Sequence, residues 1–381
     1  MAVRGSGSGA VWPLWLPLRS DLRGISPYGA PQINDVIALN TNENPYSLPT
    51  EVVEAITTRI HEVAKDLNRY PDRDATVLRS KLAQYISTTT EVEVTEENIW
   101  AANGSNEILQ TLFLACGGAT HLALGFTPSY SVHPLIAQLT RTPWFAGTRD
   151  ENFAINIPAA KALIKEKSPK IIVLTTPNNP SGNAMRFEEI EELAEAAGRV
   201  DALLIVDEAY AEFSSEKSAI ALIEQYPHVV VVRTMSKAFA FAGARLGYLV
   251  GHPAIVKAAL ITRLPYHLSS LTQSAAEVAL DFHGLLQGEI QTLIAERSRI
   301  EAEISSLGMI STPSAANFIL FRGFATDSNT AWQFFLDRGV LIRDNGLRGF
   351  LRVTVGKPEE NDRFIAALRE LAAIEASQPN I

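Results

Sequence analysis

The sequence is poor in cysteine, with only Cys116 in 381 residues. A single cysteine cannot form a disulfide within the chain, which excludes a fold held by oxidised crosslinks and favours a reducing, cytoplasmic compartment. The seven histidines are scattered, and the sequence contains neither an HExxH nor a CxxC pattern. We therefore expect no metal site.

Long apolar runs and an excess of positive charge are also missing. No apolar run approaches the ~20 residues that cross a bilayer, so we expect no membrane span. The net charge of -9 argues against a nucleic-acid partner. The hydrophobic share of 46% over 381 residues predicts a folded protein of two domains. These exclusions leave two classes of protein, an enzyme or a small-molecule binding protein.

The first 24 residues differ from the rest of the chain. They combine a Gly-Ser repeat at 5–9 with an apolar stretch that Pro13 and Pro17 interrupt. Because proline would break the apolar region of a signal peptide, we expect residues 1–24 to form a mobile tail.

From residue 50 onward, helical and strand patterns alternate. Apolar runs at 170–174, 202–206 and 229–232 predict strands buried on both faces, and residues 187–198 predict an intervening helix. This pattern is typical of a mostly parallel sheet flanked by helices in an α/β domain, at 50–284. A long helix at 289–307, strands at 316–321 and 350–355, and a helix at 359–376 predict a smaller α+β domain at 285–381.

Polar residues follow the predicted strands, at the edge where open α/β sheets bind ligands. Lys237 comes shortly after the strand at 229–232 and precedes an apolar segment. Desolvation favours a neutral amine, which can form a Schiff base with an aldehyde, whereas an ordinary loop lysine would stay solvated and charged. Arg245 makes a phosphate-bearing cofactor plausible, because guanidinium binds phosphate through two hydrogen bonds.

Asp207 ends the strand at 202–206, and a carboxylate buried there needs a cationic partner. A protonated pyridine ring is such a partner and acts as an electron sink, although Asp207 can instead cap a helix. Asn179 and Tyr210 could then bond the phenolate oxygen of the ring, although the string around Asn179 also reads as a turn.

Gly104, Ser105 and Asn106 join a predicted strand to a helix and form a candidate anion site made of backbone N–H groups. Tyr130 could stack on an aromatic cofactor or pack in the core.

In this order, these residues resemble the fold-type I pyridoxal-phosphate-dependent aminotransferases from about residue 22 to the end. The resemblance implies a large, mostly parallel, seven-stranded-type sheet, a smaller C-terminal α+β domain, and pyridoxal 5'-phosphate as cofactor. By the same resemblance Lys237 is the Schiff-base lysine, Asp207 binds the pyridine nitrogen, Asn179 and Tyr210 contact O3′, and Tyr130 stacks on the ring. The positions around the cofactor phosphate are Ser105, Asn106, Thr234, Ser236 and Arg245, with Tyr70 reaching it from the second subunit of a homodimer.

Within that group the sequence is most similar to histidinol-phosphate aminotransferases of the actinobacterial type. The segments that carry this similarity are 26–32, 39–46, 69–75, 341–344 and 351–356. The resemblance implies exchange of an amino group between L-histidinol phosphate and 2-oxoglutarate, giving imidazole-acetol phosphate and glutamate in histidine biosynthesis. Arg352 and Arg343 would bind the substrate anions, and Tyr28 and Asn42 would close the site from an N-terminal arm at 25–49.

The resemblance also implies that Lys237 holds the cofactor, is displaced by the substrate amine, and then moves the α-proton as general base and acid. Asn106 departs from the family pattern, in which an aspartate is common. Three rival functions stay open: an aromatic-amino-acid (phenylalanine) aminotransferase, a phosphoamino-acid decarboxylase, and a regulator that uses the fold as a binding module. Only the regulator needs a basic DNA-binding domain, for which residues 1–24 are too short.

Overall fold

The computed structural model describes residues 12–13, 15–25, 27 and 29–377. Along the chain these residues divide into two compact units between Asp35 and Val36. The first unit contains a 3-10 turn at Ser20–Leu22, and the indole N–H of Trp12 donates to the carbonyl of Arg23 at 3.1 Å. The predicted tail at 1–24 lies partly outside the described residues, and the predicted boundaries at 49 and 284 remain predictions.

The second unit contains all the strands and α-helices of the described residues. The strands are Ile37–Ala38 (β1), Ile99–Ala102 (β2), Ala123–Thr127 (β3), Trp144–Thr148 (β4), Ile171–Thr175 (β5), Leu203–Asp207 (β6), Val229–Thr234 (β7), Gly247–Gly251 (β8), Ile310–Ser311 (β9), Phe318–Arg322 (β10), Val340–Leu341 (β11) and Phe350–Thr354 (β12). The helices are Thr50–Val63 (α1), Thr76–Thr90 (α2), Ser105–Cys116 (α3), Val132–Leu139 (α4), Ile157–Lys167 (α5), Phe187–Gly198 (α6), Pro253–Thr262 (α7), Ser270–Asp281 (α8), His283–Ser306 (α9), Ser328–Asp337 (α10) and Pro358–Ser377 (α11).

Seven strands form the central sheet in the order β2-β8-β7-β6-β5-β3-β4. All neighbours from β7 to β4 pair in parallel, while β8 runs antiparallel to both β2 and β7. The predicted α/β fold with a mostly parallel seven-stranded sheet is thus confirmed. This topology brings the carboxyl ends of β2, β3, β5, β6 and β7 to one edge.

The central strands form where the sequence is continuously apolar. β5 and β7 are buried along their whole length, because helices cover both faces of the sheet. Helix α6 is capped at its start, where the carboxylate of Glu189 accepts the backbone N–H of Arg186. The helix buries the face that carries Ile190 and Leu193. The predicted bounds of these elements agree with the structure to within two residues.

The C-terminal part of the chain forms a second layer. There β10 pairs antiparallel with β9 and β12, and the rings of Phe321, Phe335 and Phe364 pack between this sheet and the helices. A parallel pair of β1 with β11 connects residues 37–38 to this part. In residues 12–13, 15–25, 27 and 29–377, none of the helices has the length and apolarity needed to span a membrane.

Candidate active site

Five segments that follow strands meet at the carboxyl edge of the central sheet. They follow β2, β3, β5, β6 and β7 and carry, respectively, Asn106, Tyr130, Asn179, Tyr210 and Lys237. Because these strands are parallel to one another, the side chains that follow them converge on one side of the sheet. Residues 40–44 approach the same edge, since the side-chain amide of Asn44 donates to the carbonyl of Ala238 at 3.3 Å.

Lys237 lies in this cluster with its amine largely withdrawn from solvent. Its Nζ donates to the carbonyl of Thr41 at 3.0 Å and lies 6.0 Å from the centroid of the Tyr210 ring. Burial and the nearby charge of Arg352, against the opposing charge of Glu43, together lower the pKa of Lys237 to about 8. A neutral, nucleophilic amine is therefore accessible near physiological pH, as the sequence predicts.

Asp207 ends β6 and is buried. Its Oδ2 lies 3.0 Å from Nε2 of His133, and its Oδ1 accepts the backbone N–H of Ala209 at 3.2 Å. His133 is itself buried in α4, with its ring edge-on to Tyr130 at 5.4 Å between centroids. His133 was not predicted from the sequence. The one sequence signal for it is its position three residues after Tyr130, at the start of a helix.

Tyr210 lies at the centre of a hydrogen-bonded cluster. Its hydroxyl accepts the side-chain amides of Asn42 at 3.0 Å and Asn179 at 3.5 Å. Asn42 is only 1% exposed, and its Oδ1 accepts the hydroxyl of Thr354 at 3.1 Å. The structure therefore brings Asn42, predicted as a substrate contact, against Tyr210 and Thr354. Thr354 is a further residue that the sequence analysis did not single out individually.

A candidate phosphate cradle forms where α3, the segment after β7 and the turn before β8 meet. The hydroxyl of Thr234 donates to that of Ser236 at 2.9 Å, and Nη1 of Arg245 lies 3.4 Å from the same Ser236 oxygen. The guanidinium also packs against Gly104, where a Cβ atom would lie 2.7 Å from Nη2. Ser105 and Asn106 begin α3, where the first backbone N–H groups of a helix have no partner within it. These N–H groups and the guanidinium of Arg245 therefore lie on the same side of the cradle.

Glycine at 247 allows this approach of α3 to β8. A Cβ atom at Gly247 would lie 2.3 Å from the backbone nitrogen of Ser105, which is too close for any side chain. The hydroxyl of Tyr130 donates to Oδ1 of Asn106 at 3.5 Å, which joins the cradle to the predicted ring-stacking residue. Asparagine at this position thus has a partner within the site.

Two arginines of the C-terminal layer face each other beside this cluster. Arg343 and Arg352 exchange both backbone hydrogen bonds, each at 2.9 Å, so their side chains start from opposite positions on one face. The guanidinium of Arg352 is buried and donates to Oδ1 of Asn179 at 2.6 Å and to the carbonyl of Asn40 at 2.8 Å. Arg352 thereby joins the C-terminal layer directly to the cluster around Tyr210.

One predicted residue, Tyr70, stands apart from these groups. The side chain of Tyr70 is 79% exposed, and its ring stacks on Tyr266 with centroids 4.4 Å apart. Tyr28 lies outside the described residues.

The arrangement fits pyridoxal phosphate on chemical grounds. The cradle supplies N–H groups, hydroxyls and a guanidinium for a phosphate, and Asp207 supplies a buried carboxylate for a protonated ring nitrogen. Asn179 and Tyr210 supply polar groups for the ring oxygen, and Lys237 supplies the amine. These assignments of individual residues remain predictions.

Comparison with known proteins agrees with this chemistry. The family model for aminotransferase class I and II matches residues 34–368. A histidinol-phosphate aminotransferase of Mycobacterium avium is 50% identical over 96% of this chain and 91% of its own length. One of Mycobacterium sp. strain JLS is 52% identical over 94% and 95%, respectively.

A solved structure supports the fold. The histidinol-phosphate aminotransferase of Sinorhizobium meliloti in complex with pyridoxal-5'-phosphate superposes with a TM-score of 0.79 at 23% identity, covering 89% of this chain and 91% of that one. The fold, the family and its cofactor, as predicted from the resemblance, are confirmed. The chain belongs to the class I and II aminotransferases, a family of pyridoxal-phosphate-dependent enzymes.

Proposed function

We propose that this chain is a histidinol-phosphate aminotransferase of histidine biosynthesis. It exchanges the amino group between L-histidinol phosphate and 2-oxoglutarate, giving imidazole-acetol phosphate and glutamate. Support comes from the identity of 50–52% to relatives of that name over nearly the whole chain. The structural observation that carries the proposal is the pairing of Arg343 with Arg352 beside Asn179.

This pair suits the two substrates because both are anions. Like charges at directly opposite positions of an antiparallel pair repel each other, so an anionic group between them is favoured. A guanidinium binds a phosphate ester or a carboxylate equally well through two parallel hydrogen bonds. The same two residues can therefore hold the phosphate of histidinol phosphate in one half-reaction and a carboxylate of 2-oxoglutarate in the other.

The chain's own groups then carry out distinct tasks. Pyridoxal phosphate, when bound, supplies the electron sink that makes the substrate α-proton acidic. Lys237 would anchor the cofactor and, once freed from it, would move that proton as general base and acid, a role that its lowered pKa of about 8 favours. Asp207, held by His133, would keep the nitrogen of the bound ring protonated. Asn42 would help to close the site, and Tyr28 is a further predicted substrate contact.

We include a homodimer with shared sites in the proposal. Tyr70, Ile261 and Leu264 are large and strongly exposed, which is typical of a surface that another subunit covers. Tyr70 of one subunit would reach the cofactor phosphate of the other. A cytoplasmic location is also part of the proposal, and the single cysteine of the chain is compatible with it.

The decisive experiment compares kcat/KM for histidinol phosphate and for phenylalanine, each with 2-oxoglutarate. We expect histidinol phosphate to be preferred by about 100-fold or more, because phenylalanine lacks the phosphate for which the arginine pair is suited. A higher kcat/KM for phenylalanine would instead identify an aromatic-amino-acid aminotransferase.

The control is Lys237→Ala. Wild-type protein incubated with pyridoxal phosphate and borohydride should retain a pyridoxyl group on Lys237 by mass spectrometry, and the variant should not.

A further inference from the structure

A buried group of charges lies behind the site and is not used by the proposed mechanism. Arg233 belongs to β7, and Glu208 and Glu212 follow β6. Arg233 is 5% and Glu208 3% exposed. Nε and Nη2 of Arg233 donate to the same Oε2 of Glu208 at 3.1 and 2.7 Å, and Nη1 lies 3.4 Å from Oε1 of Glu212.

Glu208 is fixed at every oxygen. Its Oε1 accepts the backbone N–H of Ala219 at 2.7 Å, and its Oε2 also accepts the hydroxyl of Ser218 at 2.7 Å. Burial opposes the charge of Arg233, but the two carboxylates outweigh it and raise the pKa of Arg233. Burial raises the pKa of Glu212. The Glu208–Arg233 pair is therefore the most firmly hydrogen-bonded part of the cluster.

The position of this pair in the sequence is its most informative property. Glu208 directly follows Asp207, and Arg233 precedes Lys237 by four residues. Because side chains alternate along a strand, Arg233 points to the face opposite its neighbour Thr234, which contributes to the phosphate cradle. The pair is thus connected to Asp207 and Lys237 through the backbone, and its side chains do not contact the site directly.

The pair also acts where the sheet no longer holds the two strands together. The pairing of β6 with β7 ends at Asp207 and Val232, with one last bond from the backbone N–H of Glu208 to the carbonyl of Val232 at 2.9 Å. Beyond that point the segment towards Tyr210 leaves the sheet, while β7 continues to Thr234 and pairs only with β8. The Glu208–Arg233 contact is a connection between the two segments just where they separate.

A contribution to stability does not explain such a pair. Removing two charges from water costs several kcal/mol per ion, and uncharged replacements of similar volume are often equally stable. A planar guanidinium bound through two nitrogens does fix distance and orientation. We propose that the Glu208–Arg233 pair is a positioning device, which holds the ends of β6 and β7 in the register that brings Asp207 and Lys237 to the same cofactor ring.

The inference rests on the roles proposed above for Asp207 and Lys237. Its test is the double variant Glu208→Gln/Arg233→Met, because glutamine still accepts the N–H of Ala219 and the two charges of the pair are removed together. Glu212 then loses its contact with Arg233, but burial raises its pKa, so it can take up a proton instead. Three quantities are measured: the thermal midpoint, the rate at which the apoprotein captures pyridoxal phosphate on Lys237 (borohydride trapping and mass spectrometry), and kcat and KM. The matched control is Glu303→Gln/Arg369→Met, which removes an exposed pair with a 2.7 Å contact.

We expect the double variant to keep a thermal midpoint close to that of wild type while the capture rate and kcat each fall by about 10-fold or more, with KM changing far less. The control variant should match wild type in all three quantities. Wild-type capture and kcat in the double variant would overturn the inference.

If the double variant does not fold, the single variant Arg233→Lys tests the positioning role instead. It keeps the positive charge but loses the two-nitrogen contact, so it should fold and still capture pyridoxal phosphate several-fold more slowly. Capture at the wild-type rate would overturn the positioning role. Failure of the proposed roles themselves would appear differently. For Lys237 it would appear as undiminished borohydride trapping of pyridoxal phosphate by Lys237→Ala, and for Asp207 as wild-type kcat in Asp207→Ala.

Discussion

The candidate site has two parts that are held in different ways. The part at the strand ends, with Asp207, Ser236 and Lys237, is withdrawn from solvent and hydrogen-bonded within one chain. The outer part contains Arg245 and, in the proposed dimer, Tyr70 of the partner subunit, and both residues are exposed in the single chain. The first part takes its geometry from the sheet. The second part has the chemistry to bind a phosphate from positions that are open to solvent.

This difference indicates which steps one chain can perform alone. In the proposed mechanism, anchoring the cofactor and moving protons depend on the buried part, so changes there should reduce the rate of chemistry. Enclosing the phosphate would depend on the outer part, so changes there should alter cofactor affinity and respond to the assembly of subunits. Three experiments test this division.

The largest effect is expected from Asp207→Ala. Removing the carboxylate takes away the charge that keeps the ring nitrogen protonated, so kcat should fall by about 10²–10³-fold. Steady-state kinetics with saturating cofactor measures it. His133→Asn, which keeps the carboxylate but changes its support, should lose less. Wild-type kcat in Asp207→Ala would show that the buried part does not control the chemistry.

A second experiment tests the burial of Lys237 through pH. The neutral amine is the nucleophile, so the rate of capture of pyridoxal phosphate by the apoprotein should rise with pH and level off above about 8, the lowered pKa of Lys237. Arg352→Gln removes a positive charge that lowers this pKa, so the midpoint should move to higher pH. A midpoint near the ordinary lysine value in the wild type would contradict the withdrawn position of the amine.

The smallest effect is expected from Tyr70→Phe, which would remove the hydrogen bond that we propose between Tyr70 and the cofactor phosphate of the other subunit. Because a hydrogen bond to a charged group contributes about 1.5–3 kcal/mol, the dissociation constant of pyridoxal phosphate should rise by roughly 10-fold or more while kcat changes little. Equilibrium binding followed by fluorescence measures this.

Mixing subunits sharpens the third test. Tyr70→Ala and Lys237→Ala proteins, mixed, allowed to exchange subunits and assayed at limiting pyridoxal phosphate, should regain activity above the sum of the two alone, since a hybrid of the proposed dimer would contain one intact shared site. If mixing restores nothing while the hybrid forms, Tyr70 acts within its own chain.

Much of the buried part could be predicted from sequence because continuous apolar runs locate strands, and polar residues directly after them locate a parallel-sheet edge. Asp207 and Lys237 were found in this way. Three strands of the central sheet, β3, β4 and β8, were not predicted. Each contains glycine, and β4 is a half-exposed edge strand without a continuous apolar run.

Contacts between residues far apart in the chain could not be predicted from the sequence. The partners His133 and Asp207 are 74 positions apart, and Arg352 and Asn179 are 173 apart. The need for glycine at 247 likewise depends on how closely α3 approaches β8, which only the folded backbone determines. Local pattern identified the chemical groups, and packing decided which of them meet.

The bonds of Arg352 have a further consequence. Before any substrate arrives, its guanidinium already donates to Asn179 and to the carbonyl of Asn40. In its proposed role, Arg352 would exchange these internal bonds for bonds to an incoming anion, and each bond exchanged would offset about 1 kcal/mol or more of the binding free energy. Such an exchange would moderate the affinity for anions and would let the internal bonds re-form when an anion leaves. An enzyme that must release one anion before it binds the next would turn over faster as a result.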